Sequence, residues 1–342
     1  MKTNPYLTLI RWLTIVALFD WFVTRTITRA AIFIPKPPPV IALYSALNVA
    51  GQLALTLTGL LALLALGGIA WRAWRQQGVV GRALALALTG QVGLSLLFLV
   101  IPPAGWLASA NHLLYLTTIV LLLFRILPMA RFHLDTSPAR GPAFPARALA
   151  LMLPAFALVT GRLHQAIPTF YATLQWPGPP PLTGLFFNLG ELLVVLSVFA
   201  LWWSYGRGAT WRVWLAAALP ALVFAGSHLA SAAMTGILAV WSVGLTLYLP
   251  WPLYAVSLWL AGVTGIVALR RDDPGGWAIL LLISGGYAPQ LSLQAFLGLI
   301  ALWLLAEAAQ RPVTAQATAP HSARRAAESQ PLPAAVILRR SP

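Results

Sequence analysis

The stretch LTGLFFNLGELLVVLSVFALWW, residues 182–203, holds a single charged side chain, Glu191, among 22 residues. A helix needs about 20 apolar residues to cross the hydrocarbon of a bilayer. Runs of this kind recur near 7–28, 44–71, 82–101, 105–127, 147–165, 182–204, 212–232, 252–270, 276–287 and 290–307. Hydrocarbon offers no partner for backbone N–H and C=O groups, so such segments must satisfy them internally, as helices do. The pattern predicts an all-α polytopic membrane protein with about ten transmembrane helices.

Composition closes off the soluble alternative. The 342 residues are 59% hydrophobic and 8% charged, against roughly 25% charged in soluble domains. The net charge of +15 is not a nucleic-acid signature, because the 22 Lys and Arg residues gather mostly in short loops and in the tail. Loops holding Arg72, Arg75 and Arg82, then Arg125, Arg131, Arg140 and Arg147, then Arg207 and Arg212, then Arg270 and Arg271, alternate with loops poor in positive charge. The positive-inside rule places these Arg-rich loops and both termini in the cytoplasm of a bacterial-type inner membrane. Arg25, Arg29 and Lys36 fall on the opposite side. The chain has no cysteine, which excludes disulfides, thiolate metal sites and Cys nucleophiles. Its N-terminus has the charge and apolar run of a signal peptide, but Arg11 and Asp20 interrupt the run, so a retained first helix is expected.

The expected organisation is a four-helix membrane unit at 1–130, a cytoplasmic loop at 131–146, a second four-helix unit at 147–271, a helical hairpin at 272–308 and a disordered basic tail at 309–342. The tandem units rest on an echo: Val23-Thr24, Pro37-Pro38-Pro39 and Asn48 in one half, Val159-Thr160, Pro179-Pro180-Pro181 and Asn188 in the other. Residues 236–250 read either as a re-entrant or interfacial piece or as an eleventh helix. The re-entrant reading keeps Arg270 and Arg271 on the cytoplasmic side. Trp71, Trp74, Trp106, Trp176, Trp202, Trp203 and Trp251 sit at predicted helix ends, as an interfacial belt requires.

The candidate ligand-binding residues are the polar groups inside apolar runs. Asn48 and Gln52 lie i, i+4 on the second helix, and Asn188 and Glu191 lie i, i+3 on the sixth, so each pair shares a helix face. A carboxylate in hydrocarbon must be paired, protonated or turned to a cavity. Glu191 is therefore either polar glue between helices or a proton relay, ligand contact or counter-ion. Asp20 and Arg25 read as groups that stabilise the fold. His112, His164 and His228 fall toward the outer side, and a neutral imidazole is a competent ligand for haem iron or a transition metal. A helix-to-helix hydrogen bond is the plainer role for each. His133 and His321 lie in loop and tail.

Residues 89–124, TGQVGLSLLFLVIPPAGWLASANHLLYLTTIVLLLF, resemble the third and fourth helices of the haem A synthase family, in which a histidine opening the fourth helix binds haem. Residues 235–269 are similar to the corresponding part of that family's second half, and LQWPGPPP at 174–181 is a looser likeness to its outer loops. The resemblance implies two four-helix units with haem near the outer face and His112 as the haem-iron ligand. Only His112 carries over. NVAGQ and NLGEL stand where the family has histidine-bearing motifs, and Ser257 falls near a further ligand position. The resemblance thus implies a divergent member holding at most part of the family's haem set, with haem b as the expected cofactor.

Three functions remain open: a haem- or quinone-handling protein of cytochrome-oxidase-assembly type using His112 and His228, a small-solute transporter with Glu191 as coupling carboxylate, and a non-catalytic membrane subunit. Whether the chain is an enzyme is left open. A hydrolase or glycosyltransferase is disfavoured, because no G-x-S-x-G motif is present and only seven residues are acidic. The expected partners are the lipid bilayer and a homo-oligomer or larger membrane complex, not nucleic acid.

Overall fold

A computed structural model describes residues 5–21, 38–76, 78–102, 105–135, 146–178, 180, 182–235, 251–271, 273–286 and 295–310. The segment 236–250, the tail from 311 and most of the first long loop lie outside the described residues.

Among the described residues there are ten α-helices: α1 (Pro5–Asp20), α2 (Pro38–Arg75), α3 (Val79–Leu97), α4 (Trp106–Asp135), α5 (Ala146–Thr173), α6 (Thr183–Leu201), α7 (Trp211–Thr235), α8 (Trp251–Arg271), α9 (Pro274–Leu281) and α10 (Phe296–Gln310). Each falls on one of the apolar runs. Five stretches are long and apolar enough to cross a membrane: Ile41–Arg75, Val79–Leu97, Trp106–Arg131, Arg147–Thr173 and Thr183–Gly206. The exterior supports a lipid surround, since Leu43, Leu53, Leu64, Leu86, Leu215 and Leu222 are all exposed. In water such a surface would drive aggregation. α2 is the longest helix, and its 38 residues reach about 57 Å, well beyond the hydrocarbon thickness.

Prolines fall where a helix tolerates them. Pro274 follows the N-cap Asp273, whose carboxylate accepts from Gly275 N at 2.9 Å, satisfying one of the donors that a helix start leaves open. Pro128, Pro154, Pro168 and Pro220 lie inside α4, α5 and α7. Neighbouring helices and hydroxyl side chains can take over the backbone groups freed there. α6 and α9 both widen into single π-helical turns, Trp202–Gly206 and Leu282–Gly286.

Successive helices run antiparallel through the series α1 to α6, and α7 packs on α8. The helix ends carrying Arg72, Arg75, Arg125, Arg147, Arg207 and Arg271 form one basic end of the bundle. Arg72 meets the end of α10, Arg125 meets Gln76, and Arg271 Nη2 donates to Arg207 O at 3.3 Å. The opposite end, where α4 and α6 begin, is termed the far end.

The closing hairpin is not an appendage to the bundle. Every residue of α9 is buried, as is α10 from Phe296 to Ala306. α10 touches α2, α4 and α5, while α9 touches α1, α6 and α8. The last two helices therefore fill the middle of the bundle and join its two halves. FLGLIALWLLA has no polar face, and a helix apolar on all sides is one buried on all sides.

Close approach depends on small residues. A Cβ on Gly276 of α9 would overlap the Cβ of Ala268 of α8, so only glycine allows that crossing. On the α5–α6 interface a Cβ on Gly190 would stand 3.2 Å from Thr160 Oγ1 and 3.4 Å from Gly161 N. This small-residue contact lets the two helices pack backbone to backbone.

Candidate functional site

Four adjacent helices, α3 to α6, carry a layer of polar side chains in the half of the bundle nearer the far end. Its position follows from helix register. On α4, Ser109 Oγ lies 2.9 Å from Thr173 Oγ1 of α5, and His112 Nε2 lies 3.4 Å from Thr169 Oγ1. Tyr115, one turn on, lies under the guanidinium of Arg162, whose Cζ stands 3.9 Å from the ring centre. Gln91 Nε2 of α3 donates to Asn111 Oδ1 of α4 over a short 2.5 Å.

The helix periodicity explains the grouping. Asn111, His112 and Tyr115 lie within about one turn of α4, with Asn111 turned to α3, and His112 and Tyr115 to α5. All three are buried, with His112 at 1% exposure. The Tyr115 hydroxyl donates to Ala295 O at 2.8 Å, which ties the layer to the start of the central helix α10. His112 lies six residues into α4, about 9 Å from its first residue.

Several groups in this layer lack hydrogen-bond partners among the described residues: His112 Nδ1, Arg162 Nη1, Gln91 Oε1 and Asn188 Oδ1. Buried polar atoms are normally satisfied, and each orphan costs about 1–3 kcal/mol. Arg162 bears the heaviest cost. It is 3% exposed, and no ion pair to it is found among the described residues. Burying an unpaired cation costs several kcal/mol, of which its stacking on Tyr115 returns about 2.

The sequence-derived candidates divide into three groups. His112 lies inside the layer. Asn188 and Glu191 sit on α6, half-buried. The α5–α6 register, set by Thr160 against Gly190 and by His164 against Phe187 at 4.8 Å, puts Asn188 level with Arg162 and Glu191 about one turn nearer the basic end. Glu191 is not free of partners. Asn48 and Gln52 are exposed on α2, outside the layer, so the two amide-bearing helices do not converge on one pocket through these side chains. The side chain of His228 lies outside the described residues.

His164 also departs from a shared histidine depth. Its Nδ1 stands 3.1 Å from Thr183 O of α6, and it lies five residues, about 7.5 Å, along α5 from Thr169. It faces α6, whereas His112 meets Thr169. No group of three or more His, Cys, Asp or Glu side chains able to hold a metal ion is present among the described residues. One buried imidazole with an unpartnered ring nitrogen would supply a single nitrogen ligand if haem were bound there. A bis-histidine pair is not formed by His112 and His164.

Arg162, Tyr115 and Gln91 are the members that the sequence reading passes over. Arg162 had a signal: in LVTGRLHQ it is a lone cation far from the Arg-rich helix ends, and a charge inside a membrane span points to function.

Apolar grooves elsewhere are of a different kind. The one lined by Leu149, Leu153, Leu196, Phe199, Trp202 and Trp203 opens between α5 and α6 toward the basic end and has the character of a lipid-facing surface. Comparison with known proteins finds no matching family model, no matching curated protein and no matching solved structure.

Proposed function

We propose that the chain is a ten-crossing inner-membrane protein, both termini cytoplasmic, that handles haem or a quinone in the outer half of the bilayer. His112 is the ligand or hydrogen-bond partner of that group. One observation carries the reading: a fully buried imidazole holds an unpartnered Nδ1 inside a layer of polar side chains drawn from adjacent helices. A neutral histidine of this kind binds haem iron directly or donates to a quinone carbonyl.

The test is an absorption spectrum of the detergent-purified protein, oxidised and dithionite-reduced, with pyridine extraction for haem and solvent extraction for quinone. The reading expects a Soret band near one haem per chain, or one equivalent of extractable quinone, and loss of either in His112→Ala. A colourless, quinone-free protein from haem-replete cells overturns it.

A transporter is the second reading, favoured by two carboxylates within the apolar helices: Asp20, 1% exposed on α1, and half-buried Glu191 on α6. Its signature is solute uptake abolished by Glu191→Gln and kept in His112→Ala.

A further inference from the structure

Arg162 is the charged member of the polar layer with no counter-charge among the described residues. It is 3% exposed. Its contacts are with Tyr115, whose neutral ring lies under the guanidinium and whose hydroxyl, donating to Ala295 O, can still accept from it, and its Nη1 has no hydrogen-bond partner among the described residues. The half-buried Asn188, also with an unpartnered atom, stands at the same level on α6. The Tyr115 ring fixes the plane of the guanidinium from one side. Nη1, at the guanidinium edge and carrying two N–H groups, is then the part left to engage a ligand.

We propose that Arg162 is the anchor for an oxyanion, a carboxylate or phosphate bound bidentately through the guanidinium edge, and that this oxyanion is the polar head of the molecule held in the layer. The proposal rests on the reading of that layer as a ligand site, and it names the chemistry of the ligand's head. A guanidinium matches two parallel acceptor oxygens, whereas a lone carbonyl would leave the charge uncompensated. A buried cation in hydrocarbon is stable when paired, and an incoming anion supplies the pair. A haem carboxylate, a phospholipid headgroup and free phosphate share this chemistry.

The experiment uses the full chain in a neutral detergent, stripped of lipid, and compares wild type with Arg162→Lys and Arg162→Met. Thermal unfolding is followed with phosphatidylglycerol, with diacylglycerol, which has the same chains and no phosphate, as the control, and with inorganic phosphate. Haem content per chain is read on the same preparations. A saturating oxyanion ligand should raise the wild-type Tm by roughly 5 °C, with a smaller rise in Arg162→Lys, which keeps the charge but loses the fork, and none in Arg162→Met. A rise with phosphatidylglycerol alone assigns a lipid headgroup. A rise with phosphate assigns a soluble anion. Haem lost from Arg162→Met while His112 is intact assigns the haem carboxylate.

The proposal is overturned if no anion shifts the wild-type protein and haem content is equal in all three variants. It is overturned equally if Arg162→Lys responds as wild type does to every probe. The two readings fail separately. A protein without haem or quinone that is still stabilised by anions through Arg162 loses the proposed function and keeps this inference. A haem protein indifferent to Arg162 does the reverse.

Discussion

Arg72 on α2 and Glu307 on α10 are 235 residues apart in the chain, yet Arg72 Nη1 and Glu307 Oε1 stand 3.1 Å apart. The same carboxylate oxygen accepts from Trp303 Nε1 at 2.8 Å. Arg72 also lies 3.8 Å over the ring of Tyr6, and Arg125 lies 4.1 Å over the ring of Trp303. Residues of α1, α2 and α4 thus fasten the basic end of the central helix.

This fastening predicts a modest loss of stability in Glu307→Gln. The pair is part-exposed, at 33% and 22%, and such pairs contribute about 1 kcal/mol or less. Glu307→Ala also strands the buried Trp303 N–H and should cost about 1–3 kcal/mol. Thermal unfolding in detergent should rank the variants wild type, Gln, Ala, and equal midpoints would remove the fastening role.

Gly276→Ala should be among the most damaging single-methyl changes in the chain. The new Cβ would overlap Ala268 at a crossing of two packed helices, and forced overpacking costs about 1–3 kcal/mol or more. Gly93→Ala on α3 is the matched control, because nothing lies within 4 Å of its added Cβ. The control should express as wild type while Gly276→Ala expresses poorly or unfolds earlier.

The Gln91–Asn111 hydrogen bond predicts strong coupling between two positions. Gln91→Leu alone leaves Asn111 Oδ1 buried without its donor, at a cost of about 1–3 kcal/mol. Leucine at both positions should cost less than the sum of the two single changes. A strictly additive double-mutant cycle would mean that the bond contributes nothing.

Orientation is open to direct labelling, since the chain has no native cysteine. Pro177→Cys at the far end and Val79→Cys at the basic end occupy exposed positions. In intact cells a membrane-impermeant maleimide should modify the first and spare the second until the membrane is opened. The opposite pattern would invert the proposed topology.

The helices were legible because a membrane makes them so: backbone groups in hydrocarbon allow one kind of element, and runs of 20 apolar residues mark it. The ten runs correspond to the ten described helices, down to the short α9. Lateral arrangement was less legible. Nothing in FLGLIALWLLAEAA says which helices it meets, only that lipid or protein surrounds it, so its central position could not be read from hydropathy. The candidate site shows the same division. His112 was found because histidine is rare in an apolar run. Asn48 and Gln52 satisfied the same rule and face outward, because sharing a helix face does not say what that face meets. Arg162 was overlooked among the many arginines, although its place in the middle of LVTGRLHQ set it apart.

The central seat of α9 and α10 has a consequence for the order of synthesis. Chains leave the ribosome N-terminus first, so of the described helices the one that plugs the bundle is the last to be made. Until residues 274–310 arrive, α1, α2, α4, α5, α6 and α8 have membrane-embedded faces that end up against protein, and those faces must be occupied by lipid or by a chaperone. The first eight helices are therefore a waiting assembly, and the hairpin must displace whatever fills its seat before the fold can close.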